Sequence, residues 1–121
     1  MPDKLPVLSQ ETILSRLPKE LPGWKLENGW LRRKFSTDGW PTTLMLVNAI
    51  GFLSEAAYHH PDLEVTWGKI WVKLQTHASG GITERDFALA REIEKLALWR
   101  PAAGSFMEGT PNKWIQAKKE S

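Results

Sequence analysis

The chain has 121 residues, 41% of them apolar and 25% charged, which suits one domain with a core of its own. No stretch reaches the roughly 18 apolar residues of a membrane span, and the opening MPDKLPVLSQ lacks a signal peptide's apolar run, so a cytoplasmic location is expected. The absence of cysteine excludes disulfides, thiolate nucleophiles and Cys-ligated metal, while 16 Lys and Arg against 14 Asp and Glu leave a net charge of +2 that steers little.

Ser9 reads as the cap of a short first helix with Ile13, Leu14 and Leu17 on one face, which Pro18 and Pro22 are expected to stop. Trp24–Glu27 and Trp30–Phe35 alternate around Asn28-Gly29, the commonest dipeptide of a type I′ hairpin. Arg32-Arg33-Lys34 is the only basic run. In a strand its side chains point to opposite faces, so it makes no nucleic-acid footprint. Thr37 or Asp38 is expected to cap a second helix entered through Pro41, with Leu44, Val47, Ile50 and Ser54 or Ala57 as its buried stripe up to about Tyr58. Leu63, Val65 and Trp67 alternate with Glu64 and Thr66. After Gly68-Lys69 a further strand is predicted from Ile70 to about His77. Thr83-Glu84-Arg85-Asp86 opens a third helix with the stripe Phe87, Ala90, Ile93 and Leu96 or Ala97.

The resulting order, α-β-β-α-β-β-α, predicts an α+β fold: a four-stranded antiparallel sheet with the helices packed on one face. On the other face Trp71 and Lys73 lie side by side, either snorkelling over a solvated sheet or lining a partner's surface. From Trp99 onward periodicity is lost, yet Phe106, Trp114 and Ile115 remain as large anchors. This segment is expected to wrap its own domain or a neighbouring subunit. It contributes two of the chain's seven tryptophans, Trp99 and Trp114.

All three histidines fall between positions 59 and 77. His59 and His60 occupy a helix-to-strand loop, where functional groups are commonly displayed on a rigid scaffold. Glu55 lies four residues before His59 at the helix end and is placed to fix its tautomer. If the strand ending at His77 runs antiparallel to the one starting after Pro61, the three imidazoles converge. Asp86 follows a Gly-Gly turn and would either accept a bond from one of them or complement the helix dipole. Adjacent histidines diverge in an extended loop and no HExxH is present, which disfavours a metal site. No G-x-S-x-G turn marks a serine nucleophile. Acid–base chemistry by imidazoles is what is left, on a small planar substrate beside the flat wall of Trp67.

Glu55-x-x-x-His59-His60-Pro61, five residues, Trp67, nine residues, His77, eight residues, Asp86 resembles the signature of pterin-4a-carbinolamine dehydratases. The element order is similar as well, and the likeness extends over about residues 5 to 98. The resemblance implies a dehydratase-like domain over residues 1–98 and a C-terminal extension, not a separate domain, over 99–121. It implies a lyase that removes water from a 4a-hydroxytetrahydropterin (4a-hydroxytetrahydrobiopterin dehydratase), giving quinonoid dihydropterin without metal or cofactor. His59, His60 and His77 would surround the pterin as the catalytic residues, with His60 and His77 transferring protons. Glu55 would orient His59, Pro61 and Trp67 would help shape the pocket, and Asp86 would support the His77 region. Homodimers or homotetramers built through sheet and helix contacts are also implied. Relatives of this fold that act as RuBisCO assembly factors without dehydratase activity supply an alternative, for which a tryptophan-rich extension is a suitable surface.

Overall fold

The computed structural model describes residues 4–116, so the outermost parts of both predicted segments, residues 1–3 and 117–121, lie outside the described residues. Three helices, α1 (Gln10–Glu20), α2 (Trp40–Ala57) and α3 (Glu84–Ala97), accompany four strands, β1 (Lys25–Glu27), β2 (Trp30–Ser36), β3 (Asp62–Thr66) and β4 (Lys69–Leu74). The order is the predicted α-β-β-α-β-β-α, and the sheet is antiparallel throughout, in the order β1-β2-β4-β3. No helix among the described residues is long and apolar enough to cross a membrane.

Alternation along the strands divides the sheet into two faces. Leu31 and Phe35 of β2, with Ile70, Val72 and Leu74 of β4, are wholly buried against Ile13 and Leu17 of α1, Ile50 of α2, and Phe87, Ala90 and Ile93 of α3. On the opposite face the Arg32 guanidinium lies 4.2 Å from the Trp71 ring centre and the Lys73 ammonium 5.0 Å from that of Trp30. Cation–π contacts thus cover the tryptophans on this face.

The hairpin forms as its dipeptide dictates, with Asn28 and Gly29 both at positive φ (53° and 82°). Thr83 and Asp86 make a reciprocal capping box at the start of α3. Three expectations change. Pro18 lies inside α1, which stops only at Leu21; the Leu21 N–H still reaches the Leu17 carbonyl, and the bond that Pro18 cannot donate falls on the exposed side of the helix. Gly39, not Thr37 or Asp38, caps α2, and Thr43 with Leu46, Ile50 and Ser54 forms the buried stripe while Leu44 faces outward. β4 ends at Leu74, where its pairing partners on β2 and β3 run out, and His77 instead begins a 3-10 turn, His77–Ser79. Arg33 is buried on the core side of β2 and gives its guanidinium to Glu94 in a bidentate pair of 2.9 and 2.8 Å.

Gly23 makes room for that guanidinium, since a Cβ there would stand 2.8 Å from Arg33 Cζ. Trp24 Nε1 donates to the same Glu94 oxygen at 2.7 Å. At the surface Arg16 joins α1 to α3 through Glu20 and Glu84 and holds both carboxyls below the ordinary glutamate value of 4.5, chiefly by hydrogen bonding. A depressed carboxyl pKa in the folded state contributes stability above 4.5 that is lost as the pH falls through the folded value.

The segment after α3 packs on its own chain. Ile115 bridges Thr37 antiparallel, Asp38 N–H donates to the Trp114 carbonyl at 2.9 Å, and Arg100 Nη2 closes the loop onto the Ile115 carbonyl at 3.0 Å. Between these ties residues 101–113 arch outward, with Phe106 fully exposed. Glu94→Ala leaves a buried guanidinium without its carboxylate and is expected to lower unfolding free energy in urea by about 3 kcal/mol, a loss below about 1 kcal/mol contradicting the pairing.

Candidate active site

At the C-terminus of α2 the chain turns through Tyr58, which takes the left-handed conformation (φ 52°, ψ 45°). Its N–H donates to the Glu55 carbonyl, and the next N–H, of His59, reaches the Ser54 carbonyl at 3.1 Å, a helix-terminating pattern. That reversal carries His59 off the helical progression and inward, to 9% exposure, while His60 follows on the outside. The predicted pairing therefore changes. Glu55 Oε1 meets His60 Nε2 at 2.7 Å, and His59 Nε2 meets Asp86 Oδ1 at 2.6 Å.

Asp86 is wholly buried and uses both carboxylate oxygens. Its Oδ2 accepts from Thr76 Oγ1 at 2.7 Å and from the Thr83 N–H at 2.9 Å. The Thr83 hydroxyl then lies 2.8 Å from that of Thr76 and accepts from the Arg85 N–H at 3.2 Å. A carboxylate only accepts, so the proton between Asp86 and His59 sits on His59 Nε2. Asp86 thus acts on His59, and on the residue before His77 rather than on His77 itself.

The His77 imidazole has no hydrogen-bond partner among the described residues; the ring meets Trp30 edge-to-face at 5.7 Å. Gln75, just past the end of β4, is tied to the first hairpin through the Gly29 carbonyl at 3.0 Å. The three imidazoles line one cleft of about 210 Å³ together with Tyr58, Thr76 and Arg85. Arg85, in the first turn of α3, has no carboxylate partner among the described residues. Glu55 and Asp86 stand behind the histidines, and half-buried Pro61 links His60 to β3. The combination supplies one carboxylate-anchored imidazole inside, one carboxylate-paired imidazole outside and one free imidazole across from them. Among the described residues no group of three or more His, Cys, Asp or Glu side chains could hold a metal ion.

Trp67 is not brought to this cleft. β3 runs away from His60, and five residues at about 3.3 Å each place Trp67 roughly 16 Å along the hairpin, where its ring packs on Gly39 and remains 68% exposed. A constant separation in sequence carried no information about strand direction. Sequence reasoning passed over Thr76, Thr83, Arg85 and Tyr58. The first two were legible as a β4-terminal hydroxyl and a helix cap, whereas the left-handed turn at Tyr58 was not, because that conformation ordinarily calls for Gly or Asn. A second cleft of about 180 Å³, between α2, α3 and the C-terminal segment, is almost entirely apolar and has no acid–base pair.

An α+β scaffold displaying three imidazoles is the class that the fold and cleft define. Residues 6–96 match the family described as pterin 4 alpha carbinolamine dehydratase, and the chain belongs to that family. A protein of Aquifex aeolicus, named "Putative pterin-4-alpha-carbinolamine dehydratase", is 49% identical over 89 residues, covering 74% of this chain and 89% of its own. A Chloroflexus aurantiacus protein of the same name is 39% identical over 92 residues, covering 76% and 98%. The crystal structure of a transcriptional coactivator/pterin dehydratase from Brucella melitensis shares the fold, with a TM-score of 0.69 at 24% identity over 75% of this chain and 98% of that one.

Asp86→Ala leaves His59, Thr76 and the Thr83 N–H without their acceptor. It is expected to cost about 3 kcal/mol in urea unfolding, at about 1–3 kcal/mol for each unsatisfied buried group. A variant as stable as the wild type would remove Asp86 from its place as the organiser of the cleft.

Proposed function

We propose that the protein is a hydro-lyase that converts a 4a-hydroxytetrahydropterin to quinonoid dihydropterin and water. The observation that carries this reading is the lining of one cleft by His59, His60 and His77, with Asp86 and Glu55 bonded to two of them. The reaction breaks the C4a–O bond, removes the proton on N5 and forms the C4a=N5 double bond. One proton must reach the departing hydroxyl and one must leave N5. Two imidazoles able to exchange protons with the substrate meet that need, with no electron transfer and no group held between steps. His60 and His77 are the exchanging pair, because His59 is committed to Asp86 inside the fold. Glu55 sets the orientation of His60, and Asp86 that of His59.

Self-association is part of the same reading. It is supported by the outward-facing Leu44, Met45 and Phe52 of α2, a helix whose only charged residue is Glu55, and by the outer edge of β3. Sedimentation of the full chain is expected to give a dimer or tetramer that Phe52→Glu shifts to lower mass; a wild-type monomer at micromolar concentration contradicts it.

A second reading, a protein-binding role such as RuBisCO assembly, is favoured by one feature: Trp99, Phe106 and Met107 are exposed on the C-terminal segment, outside the matched family region. The two readings separate in one assay, dehydration of freshly generated 4a-hydroxytetrahydrobiopterin followed by absorbance. The wild type is expected to accelerate the reaction, and His77→Ala to lose about a hundredfold or more, the usual contribution of one acid–base group. The fold should survive that change, since His77 is exposed and its side chain makes no hydrogen bond among the described residues. A folded wild type giving only the spontaneous rate would refute the lyase and move function to the Trp99–Met107 surface.

A further inference from the structure

The aromatic wall of the cleft is Tyr58, a residue outside the histidine–carboxylate signature. Only two non-glycine residues among those described have positive φ, Asn28 and Tyr58. Asn28 is a short polar residue in a hairpin turn that ordinarily uses it. Tyr58 is a bulky aromatic in a conformation that crowds its Cβ against the backbone.

Nothing in the fold requires an aromatic there. The two hydrogen bonds that end α2 are donated by the backbone N–H groups of Tyr58 and His59 and would form equally well with Gly or Asn at position 58. The side chain is 72% exposed, so burial does not hold it, and its hydroxyl has no partner among the described residues. What the ring does touch is His60, edge-to-face at 5.8 Å and 80°, and it lines the cleft alongside the three imidazoles. Strain kept at such a position, without return in packing, points to function.

We infer that Tyr58 is a substrate-binding residue whose ring, held beside the His60 imidazole, covers the flat bicyclic face of the pterin. The inference rests on the dehydratase reading and assigns within it the aromatic surface that Trp67 is too distant to supply. It predicts an opposition between stability and binding. Relieving the strain with Asn should leave the fold as stable or more so, and weaken the hold on the substrate.

The test compares the wild type, Tyr58→Asn and Tyr58→Phe in steady-state dehydration of 4a-hydroxytetrahydrobiopterin, in binding of biopterin followed by its fluorescence, and in thermal melting. Tyr58→Asn is expected to melt at or above the wild-type temperature and to raise both KM and the biopterin Kd about tenfold, the scale of one ring stacked on an aromatic side chain, with kcat changing far less. Tyr58→Phe, which keeps the ring, is expected to recover most of the wild-type KM. In an active wild type, an unchanged KM and Kd in Tyr58→Asn, or a Tyr58→Phe as impaired as Tyr58→Asn, overturns the role of the Tyr58 ring and leaves the dehydratase reading standing. A wild type that neither turns over the substrate nor binds biopterin overturns both.

Discussion

A single desolvated carboxylate, Asp86, sets the geometry on which the cleft depends. A charge with no exposure is tolerated only when donors replace the water it has lost. Asp86 collects three, each from a different part of the chain: His59 from the α2–β3 loop, Thr76 from the segment after β4, and the Thr83 N–H from the start of α3. Satisfying one buried group therefore fixes the relative positions of three elements. It also divides the histidines by freedom of motion. His59 is locked in its tautomer and orientation, whereas His60 and His77 keep ring faces toward solvent at the two sides of the same opening.

Arg33 and Glu94 play the corresponding part at the other end of the core. A guanidinium among Phe35, Trp24 and the backbone of Gly23 joins the centre of the sheet to α3 through a planar bidentate pair. The Arg33–Glu94 pair thus holds β2 to α3, and wholly buried Asp86 holds α3 to the α2–β3 loop. The C-terminal segment adds a further tie at the far end of β2, where Ile115 pairs with Thr37. That tie lies away from the histidines, and the segment's exposed Phe106 is not among the residues that line the cleft.

Much of this was legible in the residues themselves. Asn28-Gly29 specified its turn, Thr83 and Asp86 specified a capping box, and the alternation of Ile70, Val72 and Leu74 specified a buried face; in each case the local chemistry and the final packing agree. The site was legible as a set of residues and much less so as a set of contacts. Glu55 and His59 stand four apart, but the helix ends between them, and one left-handed residue exchanges their partners. Trp67 belongs to the same run of sequence, yet β3 carries it to the other end of a hairpin. Strand alternation predicts that Arg33 parts from Arg32 and Lys34, but not that it is buried between these half-buried neighbours against Glu94, a partner distant in sequence. Each of these differences arises where one backbone turn or a pairing distant in sequence decides what a side chain meets.

The most direct test of the central claim, that the imidazole cleft is the pterin site, is a crystal structure of the full chain with dihydrobiopterin bound. The account predicts the ring between Tyr58 and the 3-10 turn that begins at His77, with its polar edge within hydrogen-bonding distance of His60 and His77 and with Asp86 still bonded to His59. A pterin seated in the apolar cleft beneath Trp114, or bound without contact to either exposed histidine, would contradict it.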